Sequence, residues 1–186
     1  MTVPNVLTLL RLLLVPCFLF ASFRSMYTEA FVIFVTAAMT DVLDGFIARR
    51  FNQRSRLGAI LDPAADKSLM VGGYLFYTLR GPLPVVNLPG WLTFVVFVRD
   101  ILIVLFAYLL YTRVNVKRFP PSWAGKTSTV LQAVTLATTV AVNAFLPALA
   151  GPLEVLFRIT LGVTLYSSWD YILRGKRLLF EGLAAS

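Results

Sequence analysis

The chain has no histidine and one cysteine, Cys17, among its 186 residues. Without imidazole there is no histidine general base, nucleophile or metal ligand. A single cysteine excludes an intramolecular disulfide, a CxxC pair and a thiolate zinc site. Charge is scarce too: 14% of residues are Asp, Glu, Lys or Arg, against about 25% in a soluble domain. Acids are the scarcer sign, 9 against 17 basic residues, which gives a formal net charge of +8. What is abundant is apolar surface: 58% of residues are hydrophobic and the mean hydropathy is +0.78. That composition excludes disorder, collagen and a secreted disulfide scaffold, and sets most of the chain against lipid or other apolar helices. Polar chemistry is left to carboxylates, Lys, Arg, hydroxyls and the backbone.

A spanning helix needs roughly 20 mostly apolar residues. Six such segments are expected, at about 4–22, 31–50, 63–80, 90–111, 127–147 and 153–173. Gly81-Pro82, Pro84, Pro120-Pro121 and Gly151-Pro152 mark connections between them. The first segment has no basic residue before Arg11 and no A-x-A site after it, so it reads as a retained helix, opened by Pro4-Asn5 and bent near Pro16, not a cleaved signal. The expected fold is all-α and integral to the membrane, six transmembrane helices in a single domain over residues 1–186.

Lys and Arg orient the chain. One set of connections and the tail holds Arg49, Arg50, Arg54, Arg56, Arg113, Lys117, Arg118, Lys126, Arg174, Lys176 and Arg177, whereas the alternate loops hold only Arg24 and Arg80. Both termini are therefore expected on the cytoplasmic side. Basic residues in short loops between apolar segments suit anionic lipid headgroups, and no nucleic-acid partner is expected.

Charges inside spans cost roughly 2.5–3.5 kcal/mol each on insertion scales and are functional by default. The second segment ends with Asp41, Asp44 and Arg49, and the third begins with Asp62, Asp66 and Lys67. Asp41, Asp44 and Ala48 fall at i, i+3 and i+7; Gly58, Asp62 and Asp66 fall at i, i+4 and i+8. Each set shares one helix face. In antiparallel neighbours, four carboxylates would converge just inside the cytoplasmic interface and repel one another. Two divalent cations, Mg²⁺ or Mn²⁺, relieve that repulsion and suit hard oxygen ligands. Such a pair can also clamp the attacking and leaving oxygens of a phosphoryl transfer. Gly45 and Gly58 leave room for a flat base or a phosphate, or only let helices approach closely. Spacing alone leaves two alternatives: Asp–Arg pairs neutralising one another at a helix end, and a carboxylate-lined divalent-cation transporter or channel.

The run Asp41-Val-Leu-Asp44-Gly45-Phe-Ile-Ala48-Arg49, then Gly58, Asp62 and Asp66, has the spacing D-x2-D-G-x2-A-R-x8-G-x3-D-x3-D. It resembles the signature of the CDP-alcohol phosphotransferase family, with all eight fixed positions present. The resemblance implies that fold, a homodimer, and a cavity open to the cytoplasm. It implies that Asp41, Asp44, Asp62 and Asp66 hold two divalent cations, with Asp66 also the general base. It sets Gly45, Ala48 and Gly58 against the cytidine and Arg49 near the diphosphate. The implied reaction moves the phosphatidyl group of CDP-diacylglycerol to an acceptor hydroxyl and releases CMP.

The start Pro4-Asn5-Val-Leu-Thr8-Leu-Leu-Arg11 and the run Leu61-Asp62-Pro63-Ala-Ala-Asp66-Lys67 are similar to the branch that makes anionic glycerophospholipids, namely phosphatidylglycerophosphate synthases and cardiolipin synthases. Asn5 and Thr8 either cap the first helix or touch the nucleotide. Arg11 either reaches the nucleotide phosphates or snorkels to the interface. Arg99, Arg113 and Lys126 are the candidate acceptor-binding residues, set against bland readings as an intramembrane pair with Asp100 and as orientation charges. A glycerol 3-phosphate pocket must hold a dianion and wants several basic groups. After Arg99 the fourth segment has none before Arg113, which tilts the expected acceptor to phosphatidylglycerol, with glycerol 3-phosphate the alternative. Glu154 and Arg158, one turn apart, are expected to form a structural ion pair. A short chain of this kind suits a bacterial inner membrane.

Overall fold

The computed structural model describes residues 3–50, 56–114 and 122–184. Six long helices run through them: α1 (Val3–Phe23), α2 (Tyr27–Arg50), α3 (Arg56–Leu79), α4 (Gly90–Val114), α5 (Trp123–Ala144) and α6 (Ala150–Ala184). No strand occurs among the described residues. Each helix stands over one expected segment, and the boundaries differ where proline or charge suggests a stop. Pro16 sits inside α1. α3 begins at Arg56 and runs through Pro63. α6 takes Gly151 and Pro152 into its first turn, where proline's missing N–H costs nothing. It also continues past Arg174, Lys176 and Arg177, because exposed charges do not end a helix.

The windows Val6–Phe23, Gly90–Leu110 and Pro147–Leu178 are long and apolar enough to cross a membrane by length and composition. α2 and α3 carry the aspartates, and α5 carries Lys126, Gln132, Asn143 and many hydroxyls. Burial follows lipid rather than water. Leu13, Phe94 and Val104 are 66%, 68% and 69% exposed, whereas Thr8, Arg11, Arg99, Ser128, Gln132 and Thr164 are buried. A water-soluble domain does the reverse. An integral membrane protein puts its polar groups between helices.

The helices gather into two compact units. The first comprises Met1–Leu88 with Leu136–Ala150. Here α1 packs on both α2 and α3, which also touch each other. The buried face of α1 reads Thr8, Arg11, Val15, Phe18 and Ser22, the 3-4 spacing of a helix–helix seam. The facing stripe of α2 is Ala30, Phe34 and Ala37, and its next position is Asp41. Phe18 sits 5.7 Å from Phe34 and 6.3 Å from Tyr77 of α3, between ring centroids. The chain leaves α1 through a Schellman turn, Met26 N–H to Ala21 C=O at 2.9 Å and Ser25 N–H to Ser22 C=O at 3.1 Å, with Ser25 at φ 61°. Arg80 at the end of α3 donates to the Phe23 carbonyl at 2.7 Å, closing the same helix end. Asn143 then fixes the loop after α3: its Oδ1 accepts from the Val85 and Val86 amides and its Nδ2 donates to the Val86 carbonyl.

The second unit comprises Pro89–Thr135 with Gly151–Ser186. α5 and α6 are joined by side-chain hydroxyls. Ser128 and Thr164 lie 3.1 Å apart, Thr135 and Thr160 2.7 Å apart, and Gln132 Nε2 donates to both Ser128 and Thr164. Glu154 and Arg158 are exposed and form no ion pair among the described residues, a correction to the expected one. A solvated pair gains too little to hold two long side chains in place. Asp170 and Arg174, with the same i, i+4 spacing, do pair at 2.8 Å.

Candidate active site

Asp41 and Asp44 lie in the last three turns of α2, and Asp62 and Asp66 in the first three turns of α3. α1 supports both helices. The side chains of Asp44, Gly45, Ala48, Arg49, Gly58, Asp62 and Asp66 lie outside the described ones, as do those of Asn5 and Arg113. Their places are those of the helix backbone: the two acids of each helix share a face by their spacing.

Asp41 is described in full. It extends the α2 stripe that meets α1, yet its side chain remains 46% exposed. Arg11 Nη1 approaches Asp41 Oδ1 at 2.7 Å, and the Arg11 side chain is 1% exposed. Arg11 therefore does not snorkel to the interface. The expectation offered it a nucleotide phosphate or the membrane surface; the structure gives it an acid of the signature. Its position in the stripe of Thr8, Val15 and Phe18 was the available sign of burial. Thr8, one turn before Arg11, is likewise buried, inside α1 and not at its cap.

In the second unit Arg99 is the hub. It is 4% exposed and meets Asp100 Oδ1 at 2.8 Å through Nη1. Nη2 donates to the Gly125 carbonyl at 3.0 Å and reaches Ser167 Oγ at 3.5 Å. The guanidinium also lies over the Tyr171 ring, 5.6 Å from its centroid. A Cβ on Gly125 would collide with that ring and its hydroxyl, so glycine is required for the contact. Nε of Arg99 is buried and has no hydrogen-bond partner among the described residues. Lys126, next along from Gly125, is exposed with Nζ over the Trp123 indole at 5.3 Å. Sequence reasoning named Arg99 and Lys126 but did not single out Ser167 and Tyr171, which carry no charge to flag them.

Among the described side chains no three metal-ligating groups come together, since Asp41 alone of the four acids is in that set. Its half-open carboxylate, held from one side by Arg11, suits a hard cation that takes oxygen ligands.

Residues 1–165 match the family described as CDP-alcohol phosphatidyltransferase. A probable phosphatidylglycerophosphate synthase of Mycobacterium tuberculosis H37Rv is 33% identical over 183 residues, which cover 93% of this chain and 81% of the relative. The CDP-diacylglycerol–glycerol-3-phosphate 3-phosphatidyltransferase of Aquifex aeolicus is 34% identical over 186 residues, covering 97% and 99% of the two chains. The human CMP-forming cardiolipin synthase is 30% identical over 194 residues, covering 95% of this chain and 62% of the relative. None of these relatives is a channel or transporter, and that alternative finds no support. With the signature acids on α2 and α3 and a match across nearly the whole length, this chain belongs to the CDP-alcohol phosphatidyltransferase family and is a phosphatidyltransferase of the membrane.

Proposed function

We propose that residues 1–186 act as one catalytic domain that moves the phosphatidyl group of CDP-diacylglycerol to the hydroxyl of phosphatidylglycerol, giving cardiolipin and CMP. The acceptor oxygen forms the new bond to the lipid-side phosphorus, the bond from that phosphorus to the CMP oxygen breaks, and Asp66 takes the hydroxyl proton. Gly45, Ala48 and Gly58 make room for the cytidine, Arg49 lies by the diphosphate, and Asn5 and Thr8 belong to the same nucleotide end. When bound, two Mg²⁺ or Mn²⁺ ions held by Asp41, Asp44, Asp62 and Asp66 offset charge on the diphosphate and the leaving CMP. The six helices span a bacterial inner membrane with both termini and the site on the cytoplasmic side, and the protein works as a homodimer.

One observation carries the choice of acceptor. Arg99, the basic residue at the middle of α4, spends three of its five N–H donors on Asp100, Gly125 and Ser167, which leaves two, Nε and one on Nη1, among the described residues. A guanidinium already engaged by the protein suits a phosphodiester better than a phosphomonoester dianion, which wants several free basic groups. Arg113 and Lys126 complete the acceptor set in this reading. A second reading, glycerol 3-phosphate as acceptor, is favoured by the Aquifex aeolicus relative, whose name specifies that acceptor and which matches over 99% of its length. Purified protein given labelled CDP-diacylglycerol and each acceptor in turn decides. Label in cardiolipin supports the first reading; label only in phosphatidylglycerophosphate replaces it with the second.

A further inference from the structure

We infer that Arg11 is the positioning residue of the acid cluster: from beneath α2 it holds one oxygen of Asp41 and leaves the rest of that carboxylate to a divalent cation. The inference rests on the reading of Asp41 as a cation ligand. Three observations carry it. First, Arg11 occupies a place in the buried stripe of α1 between Thr8 and Val15, where a charge is costly and functional by default. Second, the pair is one-sided. Arg11 is 1% exposed and Asp41 is 46% exposed, so the arginine is committed while the aspartate keeps open surface for another partner. An ion pair serving packing alone would enclose both groups. Third, the contact crosses helices, from α1 to α2, at 2.7 Å. α1 also supports α3, the helix that carries Asp62 and Asp66.

The chemistry follows from the guanidinium. It is planar and always charged, so it constrains the carboxylate it meets by its geometry and places a fixed positive charge beside it. An arginine here offsets part of the mutual repulsion of four neighbouring acids, and it leaves the ligand ready for the ion. Groups that orient a metal ligand from behind change metal affinity or activity by roughly 10–100-fold when removed.

The test is Mn²⁺ binding to the purified full-length protein in detergent, without substrate, followed by the loss of the free Mn²⁺ electron paramagnetic signal. Arg11→Gln should weaken binding by about 10–100-fold. Arg11→Lys keeps the charge but not the fork, and should lie between Gln and the unsubstituted protein. In an Asp41→Asn background, Arg11→Gln should add little further loss, because coupled residues are not additive. Binding by Arg11→Gln equal to or tighter than that of the unsubstituted protein would overturn the inference, as would an equal loss in the Asp41→Asn background. Should the Gln variant not fold, the Lys variant in both backgrounds decides on the same criteria. Unsubstituted protein that takes up no Mn²⁺ overturns the cation reading itself, and the role of Arg11 with it.

Discussion

Each unit of the molecule buries one arginine against an aspartate, and the two pairs differ in kind. Arg99 and Asp100 are sequence neighbours on α4, and Arg99 also engages the Gly125 carbonyl, Ser167 and the face of Tyr171. Arg11 and Asp41 come from different helices, and Asp41 is 46% exposed where Asp100 is 20%. The first pair is closed in by packing; the second keeps one member open. The same residue types thus serve cohesion of α4 to α6 in one unit and the signature acids in the other.

The largest effect should come from the acids of the open site. Asp66→Asn is expected to lower CMP release by at least about 10²–10⁴-fold while the protein still folds and inserts. Near-normal turnover would remove Asp66 as the base. Breaking the closed pair should lower stability as well as acceptor use. Arg99→Met takes a buried charge partner from Asp100, at a cost of about 3–5 kcal/mol, read as a lower unfolding midpoint in detergent. If Arg11→Gln lost as much stability as Arg99→Met, the contrast between the two pairs would disappear. Gly125→Ala drives a methyl into Tyr171, and overpacking of this kind costs about 1–3 kcal/mol. The smallest effect belongs to the hydroxyl ladder: Thr135→Val, which removes the contact to Thr160, should cost about 0.6 kcal/mol. A loss of several kcal/mol there would mean the ladder, not Arg99, holds the second unit together.

The helices, and the placing of the acids on α2 and α3, were legible in the sequence for the same reason. Apolar runs and aspartates at fixed intervals are both spacing signals, and among the described residues six helices lie over the six segments read, three of them holding windows long and apolar enough to cross a membrane. The ends were less legible, because proline in a first turn and charge in a last one are compatible with helix, as Pro152 and Arg174 show. Partners were the least legible. The stripe Thr8, Arg11, Val15 and Phe18 marks Arg11 as inward-facing, yet nothing in it names Asp41 as the group it meets. Around Arg99 the partners are a backbone carbonyl, a serine and an aromatic face, none of which a search for charges would find. The Glu154–Arg158 expectation failed in the opposite sense: correct spacing, but on an exposed face where the pair gains little.

The most direct measurement is CMP release from CDP-diacylglycerol by the purified protein after removal of divalent ions with a chelator. The account predicts that turnover vanishes and returns on adding Mg²⁺ or Mn²⁺. Turnover that persists in the metal-free protein would contradict the assignment of Asp41, Asp44, Asp62 and Asp66 as the ligands of a divalent centre.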